Sequence, residues 1–189
     1  MRQRFGMFFQ IGALLTELIV LENVAFPMRE HTKLSQRLIR HFVLTKLHAV
    51  GLRGAAGMMP AELSGGMARR VALARAMVMD PDILIYDEPF VGLDPISMGV
   101  IVRLVRRMND ALGITSIVVS HDVEEIATVA DRSFLLSHGK VAASGSPDEL
   151  RTANSDLVRQ FMFGMADGPV GFHYDAPSYE EQLLGRDAE

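Results

Sequence analysis

The chain has 189 residues, 49% of them hydrophobic and 22% charged, with a mean hydropathy of +0.18. Such a chain buries a core, which excludes intrinsic disorder, and its 16 Gly and 8 Pro are too ordinary for a fibrous or low-complexity architecture. The lack of cysteine removes disulfides, thiolate metal sites and Cys nucleophiles together. A formal net charge of −4 argues against a nucleic-acid partner.

The charge is uneven. Residues 1–53 carry +5, residues 54–144 carry −3 and residues 145–189 carry −6. The basic first third could therefore face an acidic partner or a lipid surface. The apolar runs near the start are cut by Glu17, Glu22 and Arg29 before they reach a membrane-spanning length. Arg2 and Arg4 ahead of Phe5–Leu15 imitate a signal peptide, but Gln10 and Glu17 interrupt the pattern and no small-x-small cleavage site follows.

In chain order, Arg4–Gln10 reads as an aromatic-rich strand, and the stretch to Pro27 as mixed and ending in a loop. Ser35 is an N-cap candidate for a helix to Val50, with Leu38, Ile39, Phe42, Val43 and Leu47 at helical spacing and Gly51 as its stop. Ser64 opens a second helix, to about Met79, with an apolar stripe of Met67, Val71, Ala74 and Val78. Ile83–Tyr86 is a short continuous apolar run, as in a strand buried on both faces. Asp94-Pro95 caps a helix to Leu112, stopped by Gly113. Ile114–Val119 is a second buried strand, and Asp122 with Glu125 resembles a capping box for a helix to Ala130. Ser133–Ser137 and Lys140–Ala143 form a hairpin around His138-Gly139. Short helices near Pro147–Ala153 and Asp156–Gly164 precede a Pro/Gly-interrupted acidic tail. Strands alternating with helices predict an α/β fold with a mainly parallel sheet.

Four features carry chemistry. Asp87 and Glu88 follow the apolar strand Ile83–Tyr86, at the carboxyl end where open α/β sheets bind ligands. One acid there can hold Mg²⁺ through water and the other can polarise an attacking water, although two acids after a strand also make an ordinary surface turn. Leu63-Ser64-Gly65-Gly66-Met67 gathers bare backbone N–H groups at a helix start, which suits either an anion site or a plain N-cap. His121 and Gln10 each stand at the end of a strand, where either could reach a phosphate or serve only the local structure.

The order of these features resembles the ATP-binding cassette ATPases. Gln10 matches the Q-loop, Leu63–Met67 the signature motif, Ile83–Glu88 the Walker B strand, Gly92–Asp94 the D-loop and His121 the switch histidine. The resemblance implies ATP and Mg²⁺ as cofactors, with Glu88 as general base, Asp87 and Gln10 at the metal, and His121 reading the γ-phosphate. It implies that Ser64, Gly65, Gly66 and Met67 serve nucleotide on the opposite subunit of a head-to-tail dimer, with Asp94 coupling the two sites. Met67 stands where the family usually has Gln. Met28–Thr32, LSGGMARR, Phe90–Pro95 and Ala166–Val170 are similar to the Mla-type phospholipid (organic-solvent-tolerance) transporter ATPases. That narrower likeness implies a cytoplasmic subunit, peripheral on the inner membrane through a transmembrane permease, with MCE-domain and STAS-domain partners.

One departure is large. No G-x-x-x-x-G-K-[ST] occurs: the single Gly-Lys pair, Gly139-Lys140, has Phe134 and Val141 where Gly and the hydroxyl residue belong. We therefore expect a truncated chain with a partial P-loop NTPase (RecA-like) parallel sheet and an inserted helical subdomain. The phosphate-loop strand and an N-terminal antiparallel β subdomain are expected to be missing. The expected division is residues 1–145 as the ATPase part, with 11–80 helical and signature-bearing and 81–145 the core, and 146–189 as an extension for dimer or regulatory contacts. Loss of the loop strand is expected to leave Ile114–Val119 with an open apolar flank. Two other readings are a DNA-repair or translation ATPase and a non-enzymatic interaction fragment. Long coiled-coil insertions or a second cassette would mark the former.

Overall fold

The computed structural model describes residues 4–9, 13–171, 176 and 178–183, so Gln10 lies outside the described residues. The chain forms two compact units, residues 1–130 and 131–189.

The first unit is built on three parallel strands, β1 (Phe5–Phe8), β2 (Ile83–Asp87) and β3 (Thr115–Val119), with β2 in the middle. This is the α/β arrangement that the alternating pattern implied. Register places Phe8, Tyr86 and Val118 side by side on one face, and Met7, Ile85 and Ile117 on the other. The first face is covered: Phe8, Leu84 and Tyr86 are buried, with the Phe8 and Tyr86 rings 6.0 Å apart. On the second, Phe5, Met7, Ile117 and Val119 are each about half exposed. Among the described residues no strand pairs with the far edge of β3, which agrees with the open flank expected there.

Helices α1 (Val20–His31), α2 (Gln36–Ala49) and α3 (Gly65–Ala76) pack together, and α4 (Pro95–Leu112) packs against α3 and α5 (Val123–Val129). The caps explain where several begin. The Ser35 hydroxyl accepts from the Leu38 N–H, and the Ser64 hydroxyl from the Met67 N–H. The Asp94 carboxylate accepts from the Ile96 and Ser97 N–H groups, both at 3.0 Å. Gly113 closes α4 in the left-handed conformation, which costs glycine little.

Three local expectations are corrected. Residues 20–31 are helical despite Pro27, because Val20, Leu21, Val24, Ala25 and Met28 are buried and outweigh the one backbone donor that proline removes. Asp122 makes no side-chain cap for α5; its own N–H donates to the Ser120 hydroxyl instead. Finally, the apolar residues of α2 divide: Ile39, Val43 and Leu47 face the core, whereas Leu38 and Phe42 are exposed.

The second unit pairs β4 (Ser133–Ser137) with β5 (Lys140–Gly145) as an antiparallel hairpin, followed by α6 (Pro147–Arg151) and α7 (Asp156–Phe163). Leu135, Leu150 and Val158 form its small core, which draws the hairpin toward the helices that follow it. The Gln160 side chain both donates to and accepts from the Val170 backbone, pinning the Ala166–Val170 segment to α7. A short helix, α8 (Tyr179–Leu183), lies near the end.

Candidate functional site

β2 and β3 end side by side, and that register brings the acids and the histidine together. Asp87 is level with Val119, and the Glu88 N–H continues the ladder by donating to the Val119 carbonyl at 2.9 Å. Asp87 shares the open sheet face with Ile85 and Ile117, because alternate residues of a strand point the same way. At Glu88 the chain turns sharply with φ +46°, an unusual conformation for a residue with a Cβ and one that clusters at functional sites.

The turn aims Glu88 at His121: Glu88 Oε1 and His121 Nδ1 are 3.0 Å apart, across 33 residues of sequence. The hydrogen bond to Glu88, and then the negative charges of Glu88 and Asp122, raise the His121 pKa above its usual value. The other carboxylate oxygen, Glu88 Oε2, is buried and has no hydrogen-bond partner among the described residues. A buried carboxylate oxygen without a donor fits a site that takes in a water or a cation with its ligand. Asp122 approaches too: its carboxylate lies within 4.8 Å of ligand atoms on Glu88 and His121. The structure thus gathers Glu88, His121 and Asp87 at the carboxyl end of the sheet, and adds Asp122, which the sequence presented only as a helix cap.

Ser64, Gly65, Gly66, Met67 and Asp94 form a second group where α3 and α4 begin. A Cβ on Gly66 would lie 2.5 Å from the Ser97 hydroxyl oxygen, so the glycine lets the two helix starts meet. Ser64 and Asp94 are exposed, and their side-chain oxygens are engaged in capping. Hydrogen bonds to Ser97 hold the Asp94 carboxyl below its usual pKa. Among the described residues this group shares no hydrogen bond with Glu88 or His121.

The two groups are joined through Arg69 on α3, which sequence reasoning missed. Its guanidinium donates to the carbonyls of Pro89, at 2.7 Å, and Val91. These flank the turn between Glu88 and Asp94. A helix arginine three residues after a Gly pair carries no sequence signal of its own, because its acceptors are backbone atoms. Asn23 was missed as well. It is fully buried and donates to the carbonyls of Leu15 and Leu18 while accepting from the Leu15 N–H, fixing the segment between β1 and α1.

The chain has close relatives among known proteins. A family model described as ABC transporter matches residues 1–91. The intermembrane phospholipid transport system ATP-binding protein MlaF of Haemophilus influenzae is 56% identical over 183 residues, which is 97% of this chain and 69% of that protein. Its Escherichia coli K12 counterpart is 54% identical over 97% of this chain and 68% of its own length. Among solved structures, cbiO1 from Clostridium perfringens, part of the ABC transporter complex cbiONQ, superposes with a TM-score of 0.74 at 31% identity. That match covers 87% of this chain and 65% of cbiO1, so the chain spans about two thirds of the length of these relatives. The chain belongs to the family of ABC transporter ATP-binding proteins.

Proposed function

We propose that the chain is the ATP-binding, ATP-hydrolysing component of an ABC transporter that moves phospholipid at the bacterial inner membrane. The observation that carries this reading is the Glu88–His121 pair at the ends of adjacent parallel strands. The phospholipid cargo is supported by the identity to the intermembrane phospholipid transport proteins.

Magnesium-bound ATP supplies the electrophilic γ-phosphoryl group. Asp87 and Gln10 are the residues that would hold the metal. Glu88 takes a proton from the attacking water, for which its unpartnered Oε2 is free. His121 orients Glu88 through Oε1 and reads the terminal phosphate by exchanging one anionic partner for another. Ser64, Gly65, Gly66 and Met67 serve nucleotide carried by the opposite subunit of a head-to-tail dimer, and Asp94 conveys occupancy between the two sites. The chain's partners are then a transmembrane permease, through which it is peripheral on the cytoplasmic side of the inner membrane, and MCE-domain and STAS-domain proteins.

The sequence contains no G-x-x-x-x-G-K-[ST] loop to cradle phosphates. We infer that the chain by itself binds ATP weakly and does not turn it over. Purified chain incubated with Mg-ATP is expected to release no phosphate above background. Release that is abolished by Glu88→Gln would refute that inference. Co-expression with the permease and STAS-domain partner tests the transport reading: a stable complex is expected, and failure to capture the permease counts against it.

A further inference from the structure

We propose that the outer face of α2 is a docking surface for anionic phospholipid headgroups. From His31 to Ala61 the sequence contains no Asp or Glu, but it holds Lys33, Arg37, Arg40, Lys46 and Arg53, with His31, His41 and His48. The fold neutralises only part of this bias. Asp80 pairs with Lys46 near the end of α2, and Glu22 pairs with Arg29 on α1. No ion pair occupies Arg37 or Arg40 among the described residues, and both are exposed.

The apolar residues decide between a lipid surface and an acidic protein. Ile39, Val43 and Leu47 already satisfy the core. Leu38 and Phe42 nevertheless stay on the outward side, 48% and 38% exposed, and Leu34 just ahead of the helix is 38% exposed. At 100° per residue, Arg37 and His41 fall at the middle of the outer face, with Leu38 and Phe42 on one flank and Arg40 and Leu44 on the other. Arg37, Leu38, Arg40, His41 and Leu44 line one shallow groove. Cations interleaved with short apolar side chains on an exposed helix match the headgroup-acyl boundary. There, basic groups meet lipid phosphates while Leu and Phe enter the first methylenes. The surface is distinct from Glu88 and His121, so its test does not depend on nucleotide chemistry.

The test is sedimentation of the full chain with vesicles of phosphatidylglycerol and phosphatidylcholine mixed, against phosphatidylcholine alone. The expected result is binding to the anionic vesicles only, lost in 0.5 M salt, where screening shortens to a few ångströms. Arg37→Glu with Arg40→Glu should weaken it at least about 10-fold. Arg37→Gln with Arg40→Gln should weaken it less, and Leu38→Ser with Phe42→Ser should weaken it at low salt also. Circular dichroism shows whether each variant keeps its helices, and the Gln pair serves if the Glu pair does not fold. Glu88→Gln should bind as the parent does, which separates this surface from the nucleotide site. Equal binding to both vesicle types, or undiminished binding by a folded charge-changed variant, overturns the proposal. So does a chain left in the supernatant with both vesicle types, as a surface built for an acidic protein would leave it.

Discussion

Glu88 Oε1 and His121 Nδ1 are 3.0 Å apart because two parallel strands in register end together and the chain turns at Glu88 with positive φ. The pair joins a candidate proton acceptor to a group that titrates near neutrality, so its first consequence is a pH dependence. The Glu88 hydrogen bond and charge raise the His121 pKa, so the histidine binds its proton more tightly in the folded chain. The pairing therefore favours the folded state fully below the ordinary histidine value of 6.5, and the contribution is lost as pH rises through the higher folded value. A ring-proton NMR titration should place the His121 midpoint above 6.5, with Glu88→Gln lowering it. A midpoint that ignores the substitution would mean the two side chains do not interact in solution.

Asn23 should be a stability position out of proportion to its polarity. Its side chain serves backbone groups of Leu15, Leu18 and Ile19 from a fully buried position. Asn23→Ala removes those partners from the part-buried segment ahead of α1, at a cost of about 1–3 kcal/mol. Denaturant unfolding measures it, and a change below about 0.5 kcal/mol would show that water replaces the side chain readily.

Gly6 holds β1 against the end of α3. A Cβ there would come within 2.5 Å of the Ala76 carbonyl oxygen, a backbone atom that cannot rotate away. Gly6→Ala should therefore destabilise the chain by about 1–3 kcal/mol, although alanine ordinarily favours the folded state over glycine. An unchanged or higher melting temperature would contradict this packing.

The half-exposed face of Phe5, Met7, Ile117 and Val119 should drive self-association. Light scattering of the purified chain should rise with concentration, and Ile117→Lys on the edge strand should reduce it. Equal scattering by the two proteins would place the associating surface elsewhere.

Much of this was legible in the sequence where the cause is local. Ser35, Ser64 and Asp94 each cap the helix that follows them, because a side-chain oxygen beside free N–H groups is decided within three or four residues. The apolar runs before Asp87 and before Ser120 became strands for a similar reason. What escaped depends on distant parts of the chain. Residues 20–31 look interrupted by Pro27, and their helix rests on packing against α2 and α3. Leu38 and Phe42 have the spacing of core residues, and only the position of α1 and α3 shows that they face outward. The Arg69 clamp on Pro89 and Val91 uses backbone acceptors some twenty residues away, which leave no mark in composition or spacing. Of the candidate site, Asp87, Glu88 and His121 were found as motifs, but the Glu88–His121 bond and the approach of Asp122 needed the register of β2 and β3.

The most direct test of the account concerns Glu88 as the base of an ATPase site. A strand-loop-helix segment bearing G-x-x-x-x-G-K-[ST], taken from a homologous ABC ATPase and fused ahead of Met1, supplies the phosphate cradle that this sequence lacks. Phosphate release from Mg-ATP is then measured with and without Glu88→Gln. We predict turnover by the fusion and a loss of about 10²–10⁴-fold in the Gln variant, with nucleotide binding retained. Turnover that survives Glu88→Gln within a few-fold would contradict the assignment of Glu88.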